Sequence, residues 1–379
     1  MNAAVGTKSG NLILDSHKLS YHMDRVEAWA AGERIAPVSV DMSLTRACGA
    51  MCSFCYAMMQ ESQARSSIKV THALNLLDDF SRIGIRSVSL VSDGESTLAK
   101  AYVPFIQHAA ELGIDVGNAT NAWEWDEEKI EAVLPHLTWV RFTVAAGRPE
   151  SYAEIMYKGP EHTEVFDRAI KNIKYAVELK KRKNLKVTLG IQMVLMPNFK
   201  DEIIPFAQLG LDLGVDYAVI KHCSDDETHT LGIDYTQYES LYGLLQQAES
   251  MSTDDTKVIV KWSKIKDGDK PTYSRFYGPQ FLLQISGSGL VAPSGMFFNA
   301  RYSKLHIGNF TEERFIDIWK SERYWRAMNY LASTAFDAQT MMGTLPIQHY
   351  VSVALDNHAK GIQRIEQGPF PKPLHSNFL

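Results

Sequence analysis

Residues 45–56 read TRACGAMCSFCY and place Cys48, Cys52 and Cys55 within eight positions. This C-x3-C-x2-C spacing lets three thiolates of one short loop converge on one metal centre, and the loop supplies no fourth ligand. The chain has only four cysteines, which is not the framework of a disulfide-rich secreted domain. The stretch therefore predicts a metal site. An alternative is a structural zinc site that a distant ligand such as His222 would complete.

The composition is that of a globular protein. The chain has 379 residues, 45% hydrophobic and 22% charged, which is enough for one large α/β domain with an extension, or for two domains. Its net charge of −5 argues against a general nucleic-acid-binding protein, which would need a basic face. The first ten residues lack an apolar signal segment, and no apolar run approaches the ~18 residues of a membrane span. We therefore expect a soluble cytoplasmic protein with neither a nucleic-acid nor a membrane partner.

Strand-like and helix-like segments alternate from residue 37 to residue 226. The first strand-like segment runs directly into the cysteine loop, and Gly84 ends the helix that follows the loop. Six strands separated by helices predict a parallel sheet with right-handed crossovers. The predicted strands are residues 37–44, 87–91, 114–117, 138–144, 185–195 and 215–220.

Polar residues follow several of these strands. Because the chemistry of parallel α/β folds lies at the carboxyl ends of the strands, these residues are candidates for the site. They are Asp93, Gly94 and Glu95, Asn118 to Asn121, Thr143, Gln192, and Lys221 to Asp226.

Beyond Asp226 we expect the alternation to stop. Residues 235–248 look helical and residues 257–262 strand-like, while residues 281–285 and 289–292 flank a turn and predict a hairpin. Residues 311–331 predict one helix. Residues 369–379 contain three prolines and predict a loose tail.

The cysteine spacing, on the loop after the first strand of such an array, resembles the radical S-adenosylmethionine (radical SAM) superfamily from Val38 to Asp226. The resemblance implies an α/β fold with a partial (β/α)6, TIM-like barrel. It also implies that Cys48, Cys52 and Cys55 hold one [4Fe–4S] cluster, whose open iron binds SAM through its amino and carboxylate groups. A reductant such as flavodoxin or ferredoxin would supply the electron that cleaves SAM.

The resemblance extends to residues that would bind SAM. Residues 92–95 read SDGE and are similar to a Gly-Gly-Glu motif that holds the SAM amino group, which implies this role for Asp93, Gly94 and Glu95. Asp93 departs from the first glycine and is alternatively expected to face substrate. Further positions that resemble family contacts are Arg141 and Thr143 for the SAM carboxylate and ribose, Asn118 and Thr120 for ribose or substrate, and Gln192 for the adenine.

The C-terminal part resembles a SPASM or twitch extension, in which cysteines hold auxiliary clusters. Ser294, Met342 and Pro346 stand at the corresponding places, and no cysteine follows Cys223. The resemblance therefore implies an α+β extension without cluster ligands. We predict a lead-in at residues 1–37, a radical SAM core at 38–230, the extension at 231–365 and a tail at 366–379.

Cys223 has three interpretations. It is an inert buried thiol, a relic of an auxiliary-cluster ligand, or a thiol that returns a hydrogen atom to a substrate radical, as in radical SAM epimerases. Its neighbours Lys221, His222, Asp225 and Asp226 are candidates for binding a polar substrate or moving protons.

The sequence thus predicts a radical SAM enzyme that generates a 5′-deoxyadenosyl radical and abstracts hydrogen from a polar small molecule. A redox-neutral outcome such as epimerisation is favoured, because an auxiliary cluster that would accept the substrate electron is missing. One alternative is a peptide- or protein-modifying maturase. Another is a non-catalytic metal-binding scaffold whose cysteines hold zinc.

Overall fold

The computed structural model describes residues 5–7, 10–55, 57, 66–157, 159–268, 271–341 and 347–379. The strands are β1 (Val5–Thr7), β2 (Gly10–Leu12), β3 (Ser39–Met42), β4 (Ser87–Leu90), β5 (Asp115–Thr120), β6 (Trp139–Thr143), β7 (Thr188–Leu195), β8 (Tyr217–His222), β9 (Lys257–Val260), β10 (Leu282–Ile285), β11 (Leu290–Ala292) and β12 (Gly308–Asn309). The helices are α1 (Met23–Ala30), α2 (Val70–Ile83), α3 (Tyr102–Glu111), α4 (Glu127–Val133), α5 (Pro149–Tyr157), α6 (Glu164–Lys183), α7 (Ile203–Leu213), α8 (Tyr242–Ser250), α9 (Trp262–Asp267), α10 (Phe315–Lys320), α11 (Glu322–Leu331), α12 (Ala338–Met341) and α13 (His349–Ala359).

One mixed sheet organises the chain, in the order β12-β11-β10-β3-β4-β5-β6-β7-β8-β9. Strands β3 to β8 are parallel neighbours in sequence order, which confirms the six predicted strands. Every residue of β7 is buried, as a parallel strand covered on both faces requires. In the described part of the chain, β9 and β12 stay apart as the two edges, so the sheet is an open, partial barrel.

The expectation that the alternation stops after Asp226 is wrong. Strand β9 extends the sheet as a parallel neighbour of β8, and β10 pairs parallel with β3 on the other side. The helix predicted at residues 235–248 and the strand predicted at residues 257–262 are confirmed as α8 and β9. The loop and the 3-10 helix at residues 235–241 concealed only that they continue the alternation. The hairpin prediction is confirmed, since β10 and β11 pair antiparallel. The division at residues 230 and 231 stays a prediction.

Local capping explains where several helices begin and end. Helix α2 ends at Gly84, whose φ of 81° is the left-handed conformation that glycine adopts without strain. The carboxylate of Asp126 accepts a hydrogen bond from the backbone N–H of Lys129 and starts α4. The single helix predicted for residues 311–331 is wrong. Ser321 is extended and caps α11 through the backbone N–H of Tyr324, which separates α10 from α11. No helix in the described ranges has the length and apolarity needed to cross a bilayer.

The prediction of a loose tail is also wrong, because the last residues pack across the amino ends of the strands. The carbonyl of Asn377 accepts a hydrogen bond from Ser87 at the start of β4, at 2.7 Å. His375 lies 2.9 Å from the hydroxyl of Thr188 at the start of β7. The ring of Phe378 packs edge-on against Trp139, with centroids 5.6 Å apart. Proline content indicated a coil, but tertiary contacts order it.

We predict that Phe378→Ala lowers the free energy of unfolding by about 3 kcal/mol, because the ring is only 6% exposed and its loss leaves a cavity. Denaturant unfolding measures the change. The matched control is Phe370→Ala, whose ring is 71% exposed and whose removal is expected to be nearly neutral. Equal stability of the two variants would show that the tail is not part of the packed core.

Candidate active site

A cavity of about 420 Å³ lies between the cysteine loop and the inner face of the sheet. Because side chains alternate along a strand, every second residue of the parallel strands points into this space. The cavity also meets residues from the lead-in and from the C-terminal tail. Strand residues that line it include Asp41 of β3, Ser89 of β4, Arg141 and Thr143 of β6, Gln192 of β7, Lys221 of β8 and Gln284 of β10.

The cysteine loop is fixed by the end of α5. The backbone N–H of Met51 donates to the carbonyl of Met156 at 2.8 Å, and that of Ser53 donates to Ile155 at 2.9 Å. The Sγ of Cys52 lies 3.5 Å from the Sδ of Met156. Cys48, Cys52 and Cys55 all line the cavity, so the three thiols face one common space.

The surroundings of Cys48 and Cys52 disfavour the thiolate forms of these two residues. Burial, followed by the negative charge of Glu95, raises the pKa of Cys48 to about 12. Burial and the neighbouring thiols raise the pKa of Cys52 well above its usual value. A bound cation reverses this balance, because a coordinating thiol is deprotonated by the metal.

Glu95 is an acidic residue that lines the cavity together with the cysteine loop. Its carboxylate is 4% exposed, accepts hydrogen bonds from Asn121 N–H at 2.8 Å and the Thr97 hydroxyl at 2.8 Å, and lines the cavity. Burial raises its pKa. An ammonium group in the cavity would both satisfy and neutralise this carboxylate. Gly94 is required beside it, since a Cβ there would lie 1.9 Å from the carbonyl oxygen of Thr45.

Asp93 is placed differently from the expectation that it faces SAM or substrate. Its buried carboxylate accepts hydrogen bonds from the backbone N–H of Gly287 at 2.8 Å and the hydroxyl of Ser286 at 2.5 Å. The Nε of Arg46 lies 3.2 Å from the same carboxylate. Asp93 therefore ties together the cysteine loop, the loop after β4 and the β10–β11 turn, and we regard it as a positioning residue.

The polar residues at the end of β5 differ in whether they reach the cavity. Thr120 and Asn121 line the cavity, where the Thr120 hydroxyl accepts from Ala122 N–H at 3.1 Å. Asn118 is fully buried beside Tyr102 of α3 and does not line the cavity. The sequence placed Asn118 after the strand, but it lies inside β5; by alternation it shares a face with Thr120, which reaches the cavity because it is the last residue of the strand.

The candidate residues at the end of β8 also differ in whether they reach the cavity. Lys221 lines the cavity, whereas His222 lies between the rings of Tyr235 and Tyr238, with centroids 5.5 and 6.0 Å away. Burial, followed by the charge of Lys264, lowers the pKa of His222 to about 3, which keeps the ring neutral. The geometry separates His222 from the space where a proton transfer to substrate would occur.

Cys223 is fully buried in the apolar core. Its backbone N–H donates to the carbonyl of Leu195 at 3.0 Å, and its Sγ lies 3.7 Å from the carbonyl of Ser224. Burial raises the pKa of this thiol to about 12. Of the three interpretations, the geometry favours an inert packed thiol.

Asp225 and Asp226 order their own loop. Asp226 accepts from the backbone N–H groups of Thr228 and Thr230, each at 3.0 Å. Asp225 lines the cavity, but its carboxylate accepts from Leu231 N–H at 2.9 Å. Both carboxylates therefore have a structural task that their position after a strand did not reveal.

Several cavity residues were missed by the sequence reasoning. Asp41 lies inside the first predicted strand, where a charged residue amid apolar ones was a usable signal. Asp15 and Lys18 come from the lead-in, and Lys261 and Lys264 flank the start of α9. Only the tertiary fold brings these last four to the cavity.

Lys261 makes stability depend on pH. Burial, followed by Lys264, lowers its pKa to about 7, so the unfolded chain binds more protons above this pH. As the pH rises, the free energy of unfolding of the wild type therefore increases relative to that of Lys261→Met. We expect the difference between the two proteins to change in this direction by less than about 1.4 kcal/mol per pH unit, because cavity water screens the charge. Urea unfolding at pH 7.5 and 8.5 measures it, and a pH-independent difference would contradict the lowered pKa.

The comparison with protein families bears directly on the cysteine loop. The profile of the Radical SAM superfamily matches residues 42–209, from β3 into α7. Residues 42–209 therefore form a radical SAM domain. The sporulation killing factor maturation protein SkfB of Bacillus subtilis (strain 168) is 26% identical over 123 residues, which is 29% of this chain and 29% of SkfB. The match thus spans less than a third of that relative's length.

Solved structures share the fold of this radical SAM protein. Streptococcus suis SuiB, in its complex with S-adenosylmethionine, is 16% identical, with a TM-score of 0.61 over 82% of this chain and 72% of SuiB. The protein anSMEcpe with bound AdoMet is 11% identical, with a TM-score of 0.56 over 85% of this chain and 97% of its own. At these identities the likeness shows the fold, which is α/β with a mostly parallel sheet.

The superfamily's cofactors, a [4Fe–4S] cluster and SAM, fit the residues of the cavity. Three thiols, the donors that such a cluster requires, share its wall, and the Glu95 carboxylate lies on the same cavity. In the described ranges, no three cysteine, histidine or acidic side chains are already gathered at metal-binding spacing. The fit therefore rests on donor chemistry and the common cavity. Of the places predicted for lost auxiliary ligands, Ser294 is buried and 3.3 Å from Gln284, while Met342 and Pro346 lie outside the described residues.

Proposed function

We propose that this chain is a radical SAM enzyme that acts on a polar substrate held in the cavity. The observation that carries the proposal is the common wall formed by Cys48, Cys52, Cys55 and Glu95, opposite the polar side chains of the parallel strands. A non-catalytic zinc scaffold would not need a cavity of about 420 Å³ beside its cysteines.

The bound cofactors supply a 5′-deoxyadenosyl radical after reduction by a donor such as flavodoxin or ferredoxin. The protein's own task is to bind and orient. The three cysteines hold the cluster, and the carboxylate of Glu95 accepts the SAM ammonium group. We assign the ribose and carboxylate of SAM to Thr120, Arg141 and Thr143, and the adenine side to Gln192, on the basis of their shared cavity.

The substrate outcome that we favour is redox-neutral. No cysteine follows Cys223 in the sequence, so the C-terminal extension has no thiolates for an auxiliary cluster that would accept an electron. Epimerisation with Cys223 as hydrogen donor loses support, because this thiol is buried in the core. A redox-neutral rearrangement needs no such thiol if 5′-deoxyadenosine returns its hydrogen atom to the product radical, which would regenerate SAM.

Peptide modification is the second candidate. SkfB is named a maturation protein, and SuiB has been crystallised with its precursor peptide SuiA. These likenesses favour a peptide substrate more than a free metabolite, whereas the charged lining of the cavity favours a small polar molecule or one polar side chain.

Substrate-stimulated cleavage of SAM distinguishes the candidates. The reconstituted, reduced protein is incubated with SAM deuterated at the 5′ carbon and either a small-metabolite fraction or a peptide fraction of a cell extract. Both 5′-deoxyadenosine and the loss of deuterium from SAM are quantified, because hydrogen return regenerates SAM. We expect the metabolite fraction to stimulate cleavage at least about tenfold. Stimulation by the peptide fraction alone would favour the maturase. Cleavage that depends on neither fraction, or no cleavage at all, would contradict the proposed substrate chemistry.

A further inference from the structure

Among the residues that the structure describes, five cationic side chains line the cavity, and Lys264 of α9 is one of them. Arg141 comes from β6, Lys221 from β8, Lys261 from the residue after β9, and Lys18 from the lead-in. The guanidinium of Arg141 lies 5.5 Å from the centre of the Trp139 ring, which orients it. We call Arg141, Lys221 and Lys261 the cationic cluster.

The members of the cationic cluster act on one another. Burial, followed by the charges of Lys264, Arg141 and Lys261, lowers the pKa of Lys221 well below its usual value. Burial and the charges of Lys264 and Arg141 also lower the pKa of Lys261. Each positively charged side chain therefore makes protonation of its neighbours less favourable.

Acidic residues of the cavity offset this charge only in part, through the effect of Asp15 on Lys261 and Lys264. Asp15 accepts hydrogen bonds from the backbone N–H and hydroxyl of Ser263 at the start of α9. Burial raises the pKa of Asp41 to about 7, so near neutral pH this carboxyl is protonated in part. Within the described ranges, no ion pair joins Lys221 or Lys261 to a carboxylate. Lys221 and Lys261 therefore lie in a partly desolvated space without a carboxylate partner from these ranges, where their positive charge is unfavourable unless an anion binds.

We propose that the cationic cluster binds an anionic group of the substrate, a phosphate or a carboxylate, inside the cavity. This inference rests on the proposed function and specifies its substrate class. Lysines on two neighbouring strand ends and one oriented guanidinium provide several N–H donors to such a group. A bound anion offsets the mutual repulsion of Arg141, Lys221 and Lys261. The charge distribution of the ligand-free protein therefore favours anion binding.

One competing occupant is the carboxylate of SAM, to which Arg141 was assigned above. Lys221 and Lys261 distinguish the two cases. If the cluster serves the substrate, a free anion binds while SAM is present. If the cluster serves SAM, saturating SAM excludes the anion.

The test uses the full chain with its cluster reconstituted and SAM saturating. Isothermal titration calorimetry measures the Kd of inorganic pyrophosphate and of succinate, and the tighter of the two identifies the anion class. We expect Lys221→Gln and Lys261→Gln each to weaken that binding at least about tenfold. Lys171→Gln is the matched control, because this lysine is exposed on α6 and its loss is expected to change Kd less than twofold.

Thermal unfolding and the electron paramagnetic resonance (EPR) spectrum of the reduced cluster are recorded for each protein. A normal cluster spectrum, with anion binding that is absent or equal in all variants, overturns the cationic cluster as an anion site. Loss of anion binding on addition of SAM overturns it too. A missing cluster signal with anion binding that still depends on Lys221 contradicts the proposed function, and leaves the anion site supported.

Discussion

Cys52→Ala is expected to lose the [4Fe–4S] cluster and to reduce SAM cleavage at least about a thousandfold. Two remaining thiolates, Cys48 and Cys55, do not satisfy a cluster that needs three protein ligands. The variant should still fold, because Cys52 lies on a loop that backbone hydrogen bonds to Ile155 and Met156 hold in place. Iron and sulfide analysis of the anaerobically reconstituted protein measures the loss directly.

Cys223→Ala is the matched control for Cys52→Ala. It removes one thiol from the same chain, but from a fully buried position outside the cavity. We expect wild-type iron content and wild-type yield of 5′-deoxyadenosine, with a small decrease in stability. Loss of iron in Cys223→Ala but not in Cys52→Ala would contradict the assignment of the cluster to the cysteine loop.

Asp93→Ala is expected to lower the free energy of unfolding by about 3–5 kcal/mol. The substitution leaves the backbone N–H of Gly287 without its acceptor and removes the buried ion pair with Arg46. Because Arg46 begins the cysteine loop, we also expect the cluster to be lost more rapidly on exposure to a chelator. Chemical unfolding and the decay of cluster absorbance measure the two effects.

Asp254→Ala is the control for a lost carboxylate, since Asp254 is fully exposed and its removal is expected to be nearly neutral. Asp93→Asn keeps the shape of the side chain and the acceptor for Gly287. We therefore expect its free energy of unfolding to lie between those of Asp93→Ala and Asp254→Ala. A stability of Asp93→Ala equal to that of Asp254→Ala would contradict the positioning role.

The local sequence predicted the core of the fold because its signals are local. Three cysteines on one loop, strands with continuous apolar runs and a glycine at the end of α2 each act within a few residues. The place of β9 in the parallel sheet and the packing of the tail were not predicted, for the opposite reason. A polar loop precedes α8, and prolines precede Phe378, while the contacts that order these segments come from strands far away in sequence.

The residues of the candidate site also fall into those that the local sequence predicted and those that only the tertiary structure reveals. Glu95, Thr143 and Gln192 were found at the ends of predicted strands and Arg141 through the family resemblance, and all four line the cavity. His222 follows Lys221 on the other face of β8, while Cys223 and Asn118 are buried near the same strand ends and do not line the cavity. The cationic cluster was missed because no pattern in one segment indicates that Arg141, Lys221 and Lys261 converge.

The central claim is that the cysteine loop holds a [4Fe–4S] cluster that binds and activates SAM. The most direct measurement is the EPR spectrum of the reduced, reconstituted protein with and without SAM, followed by analysis for 5′-deoxyadenosine. We predict a [4Fe–4S] signal whose shape changes on addition of SAM, together with 5′-deoxyadenosine among the products. Bound zinc in place of iron, or a cluster signal that SAM leaves unchanged, would contradict the claim.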